Sequence, residues 1–593
     1  MQKNNIFWFI IDSVRTYRSG EDDRDRIDIM DEFANDGVEF TNCFTSAPSS
    51  LLAAGAIYTS LPSVFIARHF NDWKFKGDKL STVKSLVENN EYISFPLIDC
   101  REAREKYQFL LPPFKKKYLP KKYNLSDYAW RNSEVTEIFE YIMDNNKFDK
   151  PVAFTFWYDC RRDPKISEYV KRAIQKIKDK GMYEDAIIIM HSDHGYPDPR
   201  TNLNEGFFKN YGHDMVLTDD NIKTPFIIKY PGSPCNLKLP NVIGHVDILP
   251  TIFDVLKIPF KKTNTQFQGK SLLPVIEGIE KNNRIRRSDT RLSMDIGKIT
   301  SLRSQKFKYL YCYDDDSEFL IDIINDKDEV NNLINSNLSS VVNAISEFRN
   351  LRKEYDNELF DFHFEDLSQN AKKSFQAIYR KDKSMKDGML IVSKAPEKLL
   401  RMLYAFLKQN VKTNIDLIYL GASQEKEKIG FNHCYRLQEL TINNVCNLNL
   451  KKYDVVLYLT ENSKRVFLKK SIYKSIKSIK AQNFFMLNYN FEVFNYFFSR
   501  WFGINIIRLF FDWEVKGYFY KQEPLYFFRD IFFLTKSILK KVFSKKGLNE
   551  DLNASKEIME FRKFHLKGNA SGLKTMNSDQ MNKEFGRIQT REE

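Results

Sequence analysis

Short apolar runs recur through the first 260 residues, and amphipathic stretches separate them. They read IFWFII at 6–11, PVAFTFW at 151–157, DAIIIM at 185–190 and PFIIKY at 225–230. Continuous apolar runs of this length are typical of strands buried on both faces, as in a parallel sheet covered by its crossover helices. The pattern therefore predicts an α/β fold in which a sheet of buried parallel strands carries helices on both faces.

Polar groups follow two of these runs directly. The first run ends at Asp12, and the run at 185–190 leads into Ser192-Asp193-His194-Gly195. Ligand sites in open α/β sheets lie beyond the carboxyl ends of the strands. A carboxylate beside an imidazole suits Zn²⁺ or Mn²⁺, although an Asp-His pair at a strand end can also serve only to cap a turn. We expect a functional site at this edge of the sheet.

After residue 298 the pattern changes twice. Three short runs, at 299–303, 307–313 and 318–322, indicate a small antiparallel sheet, and residues 340–385 are charged and helical. Strand-like and helix-like segments then alternate from 389 to 487 and indicate a second, Rossmann-like α/β domain without a GxGxxG motif. The predicted organisation is a first domain at 1–340, a helical linker at 341–387, the second domain at 388–490 and a last segment at 491–593.

The last segment is rich in aromatic residues and lysines between 491 and 546. Phe494, Phe497, Phe498, Trp501 and Phe502 have helical spacing, and several lysines follow them. Two interpretations stay open. The segment is either a helical cap on the second sheet or an interfacial amphipathic segment that rests on anionic lipid.

Charge, cysteine content and hydrophobic run lengths narrow the range of binding partners and cellular locations to expect. Lys and Arg number 92 against 78 Asp and Glu, a formal net charge of +14, which suits an anionic partner. Seven cysteines without a CxxC pair indicate neither a zinc knuckle nor a disulfide scaffold. The run at 6–11 is shorter than a signal-peptide core, and no stretch reaches about 18 uncharged residues. We expect a cytoplasmic protein, with peripheral contact to the inner face of the membrane as an option, and no nucleic-acid partner.

Several segments, in order along the chain, resemble the alkaline phosphatase superfamily in its sulfatase-like branch. They are IIDSVR at 10–15, GVEFTNCFTSAP at 37–48, SDHG at 192–195, GH at 212–213 with PFIIKYPG at 225–232, HVDILPT at 245–251, QGKSLLP at 268–274 and FLIDIINDKDEVNNL at 319–333. The resemblance implies that residues 1–340 form an alkaline-phosphatase-like catalytic domain, whose core sheet is accompanied by a small antiparallel C-terminal sheet. It also implies a metal-dependent enzyme.

The resemblance places the nucleophile nine residues before the pair Thr59-Ser60, at Ser50. Sulfatases carry Cys-x-Pro-x-Arg there, and its Cys becomes formylglycine, whereas this chain reads SLLAA at 50–54. Sulfate-ester hydrolysis by that route is therefore not expected, and a Ser nucleophile resembles that of phosphoglycerol and phosphoethanolamine transferases. Ser50 should begin a helix over about 50–60, whose N-terminus favours phosphoryl oxygens. Ser49 is the alternative nucleophile.

The same resemblance supplies metal ligands. Asp12, Asp193 and His194 match the family's first metal shell, which Ser50 completes. Sulfatases often carry a second Asp where Ser13 stands, so the resemblance favours zinc or manganese over calcium, with magnesium as a further candidate for the divalent metal.

A second metal would require further ligands, and the matching positions depart from the family pattern. Asp159 follows the run at 151–157, but Asp163 stands where two-zinc relatives carry His. His213 is expected to bind phosphoryl oxygens or to donate a proton to the leaving group, as a catalytic residue beside Ser50. Arg15 and Asp159 are assigned to substrate binding.

Two further histidines have structural interpretations. His191 lies inside a predicted strand and is expected to be a hydrogen-bonded core residue. His245, together with Asp247, is expected to hold a loop near the sheet, and a ligand role for His245 stays open.

These inferences lead to a hypothesis about function. A transferase would move a substituted phosphoryl group, of the phosphoramidate, phosphoglycerol or phosphoethanolamine type, from a nucleotide-activated donor through phospho-Ser50 to a hydroxyl of a bacterial surface or capsular polysaccharide. The second domain and the aromatic segment would hold the polysaccharide or sugar acceptor. The alternatives are a phosphodiesterase or phosphatase of the same superfamily, and a non-catalytic protein that binds glycan or membrane.

Overall fold

The structure is a computed structural model. It describes residues 4–18, 20, 24–69, 72–73, 81–98, 111, 114, 116–123, 130–159, 163–197, 216–263, 265–281, 284–290, 299–312, 317–329, 331–381, 387–393, 395, 397–410, 413–420, 431–437, 440–460, 475–476, 478–488 and 493–494. These residues divide into two compact units, with the division along the chain between Tyr355 and Asp356. The domain boundaries expected at 340, 387 and 490 remain predictions.

A mixed sheet of seven strands forms the core of the first unit. Side by side, the strands are β5 (Ile93–Ile98), β6 (Val152–Asp159), β1 (Ile6–Asp12), β7 (Ile187–His191), β8 (Lys223–Lys229), β2 (Val38–Phe44) and β9 (Leu237–Gly244). The strands β6, β1 and β7, which the apolar runs predict, are parallel neighbours. Their carboxyl ends therefore meet at one edge of the sheet.

The direction of β8 corrects one prediction. The run at 225–230 lies in β8, but this strand pairs antiparallel with β7 on one side and with β2 on the other. A continuous apolar run indicates burial on both faces, which β8 has from Thr224 onward. It carries no information about strand direction, because the same burial serves a parallel or an antiparallel neighbour. The sheet is consequently mixed rather than parallel throughout.

Helices surround this sheet. They are α1 (Asp28–Ala34), α2 (Ser50–Thr59), α3 (Ser63–Ile66), α4 (Val83–Asn89), α5 (Asn132–Asn145), α6 (Ile166–Asp179), α7 (Asp219–Ile222), α8 (Ile248–Val255) and α9 (Leu273–Ile276). Short 3₁₀ turns cover Lys116–Tyr118 and His245–Asp247, and a small ribbon joins β3 (Ala67–His69) to β4 (Asp72–Trp73).

Alternate residues of β1 enter two separate apolar clusters. Trp8 and Ile10 join residues of α2, α4 and α8, whereas Phe7 and Phe9 join residues of α1, α5 and α6. In the second cluster Phe9 stacks on Phe156 with ring centroids 4.4 Å apart. Because successive strand residues point to opposite faces, burial on both faces requires every position of β1 to be apolar until the sheet edge is reached. Asp12 lies at that edge.

A second sheet completes the first unit. The strands β10 (Arg286–Asp289), β11 (Ile299–Arg303), β12 (Phe307–Cys312) and β13 (Glu318–Asp322) pair antiparallel in this order. The last three coincide with the predicted runs, and β10 is an addition to them. The long helix α10 (Ser339–Lys381) begins in the first unit and ends in the second.

The second unit contains its own sheet. Side by side, its strands are β16 (Cys434–Leu437), β15 (Ile415–Leu420), β14 (Met389–Ser393), β17 (Tyr453–Thr460), β18 (Ala481–Asn488) and β19 (Val493–Phe494). The first five are parallel and β19 is antiparallel. The helices α11 (Glu397–Asn410) and α12 (Ile442–Cys446) follow β14 and β16. This strand order is that of a doubly wound, Rossmann-like sheet.

Two predicted segments lie largely or wholly outside the described residues: the helix at 464–480 and the aromatic segment after 490, of which only β19 is described. Among the helices that the structure does describe, none combines the length and the apolar character that a membrane crossing requires.

Candidate metal centre

The carboxyl ends of β1 and β7 bring three polar side chains together. Asp12 is the last residue of β1, and Asp193 and His194 follow β7, which pairs with β1 in parallel. One ligand atom from each of the three side chains lies within 4.8 Å of the other two. All three are buried, with Asp12 2% exposed and the other two fully enclosed. The expected cluster of ligand types is therefore present in the fold.

A strained turn holds the two carboxylates next to each other. Ser13 has a φ of 64°, in the left-handed region that a residue with a Cβ rarely adopts. This turn directs the Ser13 N–H to Asp193 Oδ1 at 3.0 Å, and the His194 N–H donates to the same oxygen at 2.9 Å. Among the described residues, no donor makes a well-formed hydrogen bond to the other oxygen, Asp193 Oδ2, although the Ser50 side chain interacts with this carboxyl. A buried carboxylate oxygen without a donor is what a cation ligand requires.

The hydrogen bonding of His194 selects its tautomer. Nδ1 lies 2.7 Å from the carbonyl oxygen of Gly195, and a carbonyl can only accept, so Nδ1 carries the proton. In the neutral ring, Nε2 then carries the lone pair. It lies 3.4 Å from Asp193 Oδ2 and 4.0 Å from Asp12 Oδ1. The ring thus presents a metal-ligand atom to the two carboxylates, fixed through its other nitrogen.

The electrostatics of the three side chains by themselves are unfavourable. Burial, together with the neighbouring negative charge of Asp12, raises the pKa of the Asp193 carboxyl to about 6. Two carboxylates that lie close together away from water cannot both ionise cheaply. A divalent cation would remove this penalty, so the donor set of two carboxylates and one imidazole fits Zn²⁺ or Mn²⁺. The identity of the metal stays a prediction.

Ser50 lies against this cluster at the first residue of α2. Its Oγ is 3.3 Å from Asp12 Oδ2, to which it donates, and 3.1 Å from His194 Nε2. The helix begins at Ser50 as predicted, and its N-terminus carries the positive end of the helix dipole. Small residues make this position possible, because Ala53 and Ala54 are completely buried under the site. Ser49 precedes the helix and makes no side-chain capping bond.

Arg15, assigned above to substrate binding, has internal partners. Its side chain is fully buried, and Nη1 lies 3.2 Å from the carbonyl oxygen of Tyr196 and 3.4 Å from that of Pro197. Its Nη2 forms an ion pair with Asp25 at 3.1 Å. Arg15 thereby joins the loop after β1 to the loop after His194. A contact with substrate stays a prediction.

Of the residues proposed for substrate or a second metal, one lies at the same sheet edge. Asp159 ends β6 and is opposite Asp12 in the parallel register, and its backbone exchanges two hydrogen bonds with the side chain of Asn132. Asp163 accepts from the backbone of Lys165 at 3.0 Å. His213 lies outside the described residues, so its catalytic role remains a prediction.

The structure gives His191 and His245 structural environments. His191 accepts from Trp8 Nε1 at 2.8 Å and donates Nδ1–H to the Ser192 carbonyl oxygen, and burial lowers its pKa to about 4. His245 Nε2 contacts Thr224 Oγ1 at 2.9 Å. Asp247 accepts from the Gly244 and Lys270 backbones and pairs with Arg286 at 2.7 Å. Asp247 therefore anchors a loop, as expected.

Comparisons with known proteins extend this description. Residues 206–354 match the family described as N-sulphoglucosamine sulphohydrolase, C-terminal. An ulvan-active sulfatase of Formosa agariphila is 25% identical over 205 residues, 33% of this chain and 32% of that protein. A choline-sulfatase of Rhizobium meliloti is 27% identical over 198 residues, 33% of this chain and 36% of that protein. The lipoteichoic acid synthase-like protein YvgJ of Bacillus subtilis is 34% identical over 112 residues, 18% of this chain and 17% of that protein.

The matched parts of the chain belong to the sulfatase-like alkaline phosphatase superfamily. The matches span about a third, or less, of the length of these curated relatives. Members of the sulfatase-like superfamily depend on metal ions, and the cluster of Asp12, Asp193 and His194 is the possible metal site of this member.

Solved structures are also similar to this sulfatase-like chain. The phosphonate monoester hydrolase of Agrobacterium radiobacter has a TM-score of 0.44 at 14% identity, and the match covers 61% of this chain and 96% of that one. BT4656 in complex with its substrate D-glucosamine-2-N,6-O-disulfate has a TM-score of 0.47 at 14% identity, over 61% of this chain and 99% of that one.

Four residues that the sequence reasoning did not single out lie near the site. Asp219, Arg303, Lys308 and Glu329 form a buried ionic network that holds α7 beside His194. Spacing along the chain gives no signal for it, since Asp219 is more than 80 residues from its partners. The segment 319–333, which resembles the family, contains Glu329 but does not indicate its partners.

Proposed function

We propose that this superfamily member is a metal-dependent phosphoryl-transfer enzyme in which Ser50 is the nucleophile. One observation carries the proposal: Ser50 Oγ lies 3.3 Å from Asp12 and 3.1 Å from His194 Nε2, at a helix N-terminus. An unmodified Ser hydroxyl stands there instead of the Cys that sulfatases convert to formylglycine. The chain therefore has the nucleophile of phosphoryl transfer in a sulfatase-like fold.

Each residue of the site has a separate role in this proposal. Asp12, Asp193 and His194 would hold a divalent cation, whose positive charge would lower the pKa of the Ser50 hydroxyl and offset the charge of the phosphoryl oxygens. The N-terminus of α2 directs backbone N–H groups and a positive dipole end toward the same oxygens. Gly195 fixes the His194 ring through Nδ1. Asp12 Oδ2 accepts from Ser50 and orients its oxygen.

The reaction has two displacements. Ser50 Oγ forms a bond to phosphorus, the bond from phosphorus to the leaving oxygen breaks, and the leaving group takes the electron pair while the Ser50 proton passes to solvent. An acceptor oxygen then attacks the phospho-serine, and Ser50 recovers its proton. The acceptor decides between the two forms of the enzyme, because a hydroxyl acceptor gives a transferase and water gives a hydrolase.

We favour transfer to a hydroxyl of a bacterial surface polysaccharide, with a phosphoramidate, phosphoglycerol or phosphoethanolamine group from a nucleotide-activated donor. The support is the second α/β unit, which adds surface for an acceptor, and the name of YvgJ, lipoteichoic acid synthase-like, which describes a synthesis. The names of the ulvan-active sulfatase and the choline-sulfatase favour a hydrolase, the second candidate. We also propose that the protein acts in the cytoplasm.

The experiment compares two chromogenic esters. After removal of metal and reloading with Zn²⁺ or Mn²⁺, the enzyme should cleave bis(p-nitrophenyl) phosphate and leave p-nitrophenyl sulfate intact. Ser50→Ala should abolish cleavage, and Ser49→Ala, the matched control one residue earlier, should retain it. Acid quenching should trap the phosphoryl group on the peptide that contains Ser50. Faster cleavage of the sulfate ester, or an adduct on Ser49, would refute the proposal.

A second measurement separates transferase from hydrolase. With a methyl glycoside present as acceptor, ³¹P NMR distinguishes a new phosphodiester from free phosphate monoester. A transferase should divert most of the product to the glycoside. Product that stays entirely hydrolytic at high glycoside concentration would favour the hydrolase.

A further inference from the structure

The short helix α7 (Asp219–Ile222) contacts both sides of the candidate metal centre. The carbonyl oxygen of Asn221 accepts from the Gly195 N–H at 2.8 Å, and that of Asp220 accepts from the Tyr196 N–H at 3.1 Å. At the other end of the helix, the carbonyl oxygen of Ile222 accepts from the Thr45 N–H at 2.9 Å. Gly195 directly follows His194, and Thr45 leads toward the segment that carries Ser50.

The Gly195 peptide transmits the position of α7 to the His194 ring. Its N–H donates to α7, and its carbonyl oxygen accepts from His194 Nδ1 at 2.7 Å. The fit is close, because a Cβ on residue 195 would lie 2.1 Å from the carbonyl oxygen of Asp220. A shift of α7 would therefore move Gly195, and with it the direction in which His194 Nε2 points.

Asp219, the first residue of α7, is bound by the small antiparallel sheet. Arg303 of β11 donates to its carboxylate at 3.1–3.3 Å, and Lys308 of β12 donates to it at 3.0 Å. Lys308 also pairs with Glu329 at 2.6 Å, and Glu329 accepts from the backbone N–H of Asp219 at 2.5 Å. The Lys308 side chain is fully buried, and those of Arg303, Glu329 and Asp219 are 5%, 7% and 17% exposed.

A helix of four residues has almost no stability of its own, so outside contacts set its position. Ion pairs away from solvent are weakly screened and geometrically demanding. The charged side chains that pair with Asp219 therefore hold α7 in one position more precisely than apolar packing would. The contacts form one continuous chain, from β11 and β12 through Asp219 and α7 to Gly195 and His194.

We propose that Asp219, Arg303, Lys308 and Glu329 are positioning residues for the metal centre, and that the small antiparallel sheet thereby sets its metal affinity. This inference rests on the proposed function, since it requires that Asp12, Asp193 and His194 bind a divalent cation. None of the four side chains is assigned a contact with the metal or the substrate. They act through α7.

The test measures the Kd for Zn²⁺ or Mn²⁺ by calorimetry on the full chain, together with the melting temperature of the metal-free protein. The main variant is the double replacement Lys308→Met with Glu329→Leu. It exchanges a buried ion pair for apolar groups of similar size, which often preserves stability. It also removes two hydrogen bonds of Asp219, one from Lys308 to its carboxylate and one from its backbone N–H to Glu329. Asp219→Asn is the second variant, which keeps the shape of the side chain and removes its charge.

Arg349→Ala is the matched control. Arg349 pairs with Glu318 on β13 of the same sheet and has a half-exposed side chain, and within the described part of the chain the bonds of this pair do not reach α7. Removal of partners outside the ligand set commonly weakens metal binding by about 10- to 100-fold. We expect a Kd about tenfold weaker, or more, in both α7 variants, and an unchanged Kd in Arg349→Ala.

The outcomes are distinguishable. A weaker Kd in the double variant at an unchanged melting temperature supports positioning, because a merely structural role would lower the melting temperature first. A Kd within twofold of wild type in a folded double variant overturns the inference. Equal weakening in Arg349→Ala also overturns it, since any loosening of the sheet would then suffice. A wild-type protein that binds neither metal overturns the proposed metal site, and this inference with it.

Discussion

The metal-free protein should become more stable when Asp193 is replaced by Asn. Asp193 Oδ1 accepts from Ser13 and His194, and the amide oxygen of Asn can keep both bonds. The orphaned Oδ2 becomes an NH₂ group, 3.4 Å from the position of His194 Nε2, which can accept from it. The substitution thus removes a buried charge beside Asp12 and satisfies both groups that remain.

The magnitude follows from the pKa of Asp193, which is raised from 3.8 to about 6. An acid whose folded-state pKa is raised binds more protons when folded, so stability falls as pH rises through the window between the two values. The penalty is complete above pH 6 and amounts to about 3 kcal/mol, at 1.36 kcal/mol for each pKa unit. At pH 5 about half of it remains.

The assay is urea unfolding of chelator-treated protein, followed by the fluorescence to which the buried Trp8, Trp130 and Trp157 contribute. The variant should exceed wild type by about 3 kcal/mol at pH 8 and by about half as much at pH 5. Saturating metal should reverse the order, because a ligand at about 1,000 times its Kd adds about 4.1 kcal/mol to wild type alone, which exceeds the lead of about 3 kcal/mol. A metal-free variant that is less stable than wild type at pH 8 would refute the reasoning.

Asp247→Asn is a control in which we expect the free energy of unfolding to change in the opposite direction. Although burial raises the pKa of Asp247, the charges of Arg286 and Arg284 lower it below its usual range overall. Its carboxylate is therefore stabilised by its surroundings, and removal of the charge leaves Arg286 without its partner. The same Asp-to-Asn change should destabilise the protein here, by about 3 kcal/mol or more.

Three further predictions concern the surroundings of the site. The pKa of His191 is about 4 in the fold against 6.5 in the unfolded chain, so stability should fall as pH drops through 6.5, by about 2 kcal/mol at pH 5. His191→Gln should remove that part of the pH dependence in urea unfolding of metal-free protein, and an unchanged dependence would contradict it. Gly195→Ala should weaken metal binding by an order of magnitude or more in calorimetry, because its Cβ would lie 2.1 Å from the Asp220 carbonyl oxygen; wild-type affinity in this variant would mean that α7 moves freely. Arg286→Met should lower the free energy of unfolding by about 3–5 kcal/mol, since it leaves the buried Asp247 charge without its bidentate partner; a loss below about 1 kcal/mol in urea titration would show that Arg284 suffices.

The sequence predicts the strands of this protein well where burial alone determines them. The runs at 6–11 and 185–190 appear as β1 and β7, because only apolar residues are tolerated between two covered faces. The direction of a strand, in contrast, does not follow from its burial. The run in β8 has the same composition as a parallel strand, yet it pairs antiparallel on both sides.

The site was predictable for a different reason. Asp12 ends a strand, and Asp193 and His194 follow another, and both strands are recognisable from their composition. Neighbouring parallel strands bring their carboxyl ends to the same edge of the sheet. The nucleophile needed the family resemblance, since Ser50 begins a helix of apolar and small residues like many others. The network around Asp219 was not predictable, because its four members come from separate segments and each reads as a surface charge.

The central position of β1 has a consequence for how the protein is made. Its two neighbours in the sheet, β6 and β7, are translated 147 and 181 residues later, counted between paired positions. At roughly 5–20 residues per second, the apolar segment Ile6–Ile11 waits roughly 10–35 s on the ribosome before both of its partners exist. During synthesis it is an unpaired strand that any other strand edge can capture. Slow or stalled translation between residues 50 and 190 should therefore lower the yield of folded enzyme more than equal delays after residue 200, and a chaperone that shields apolar segments near the N-terminus should restore it.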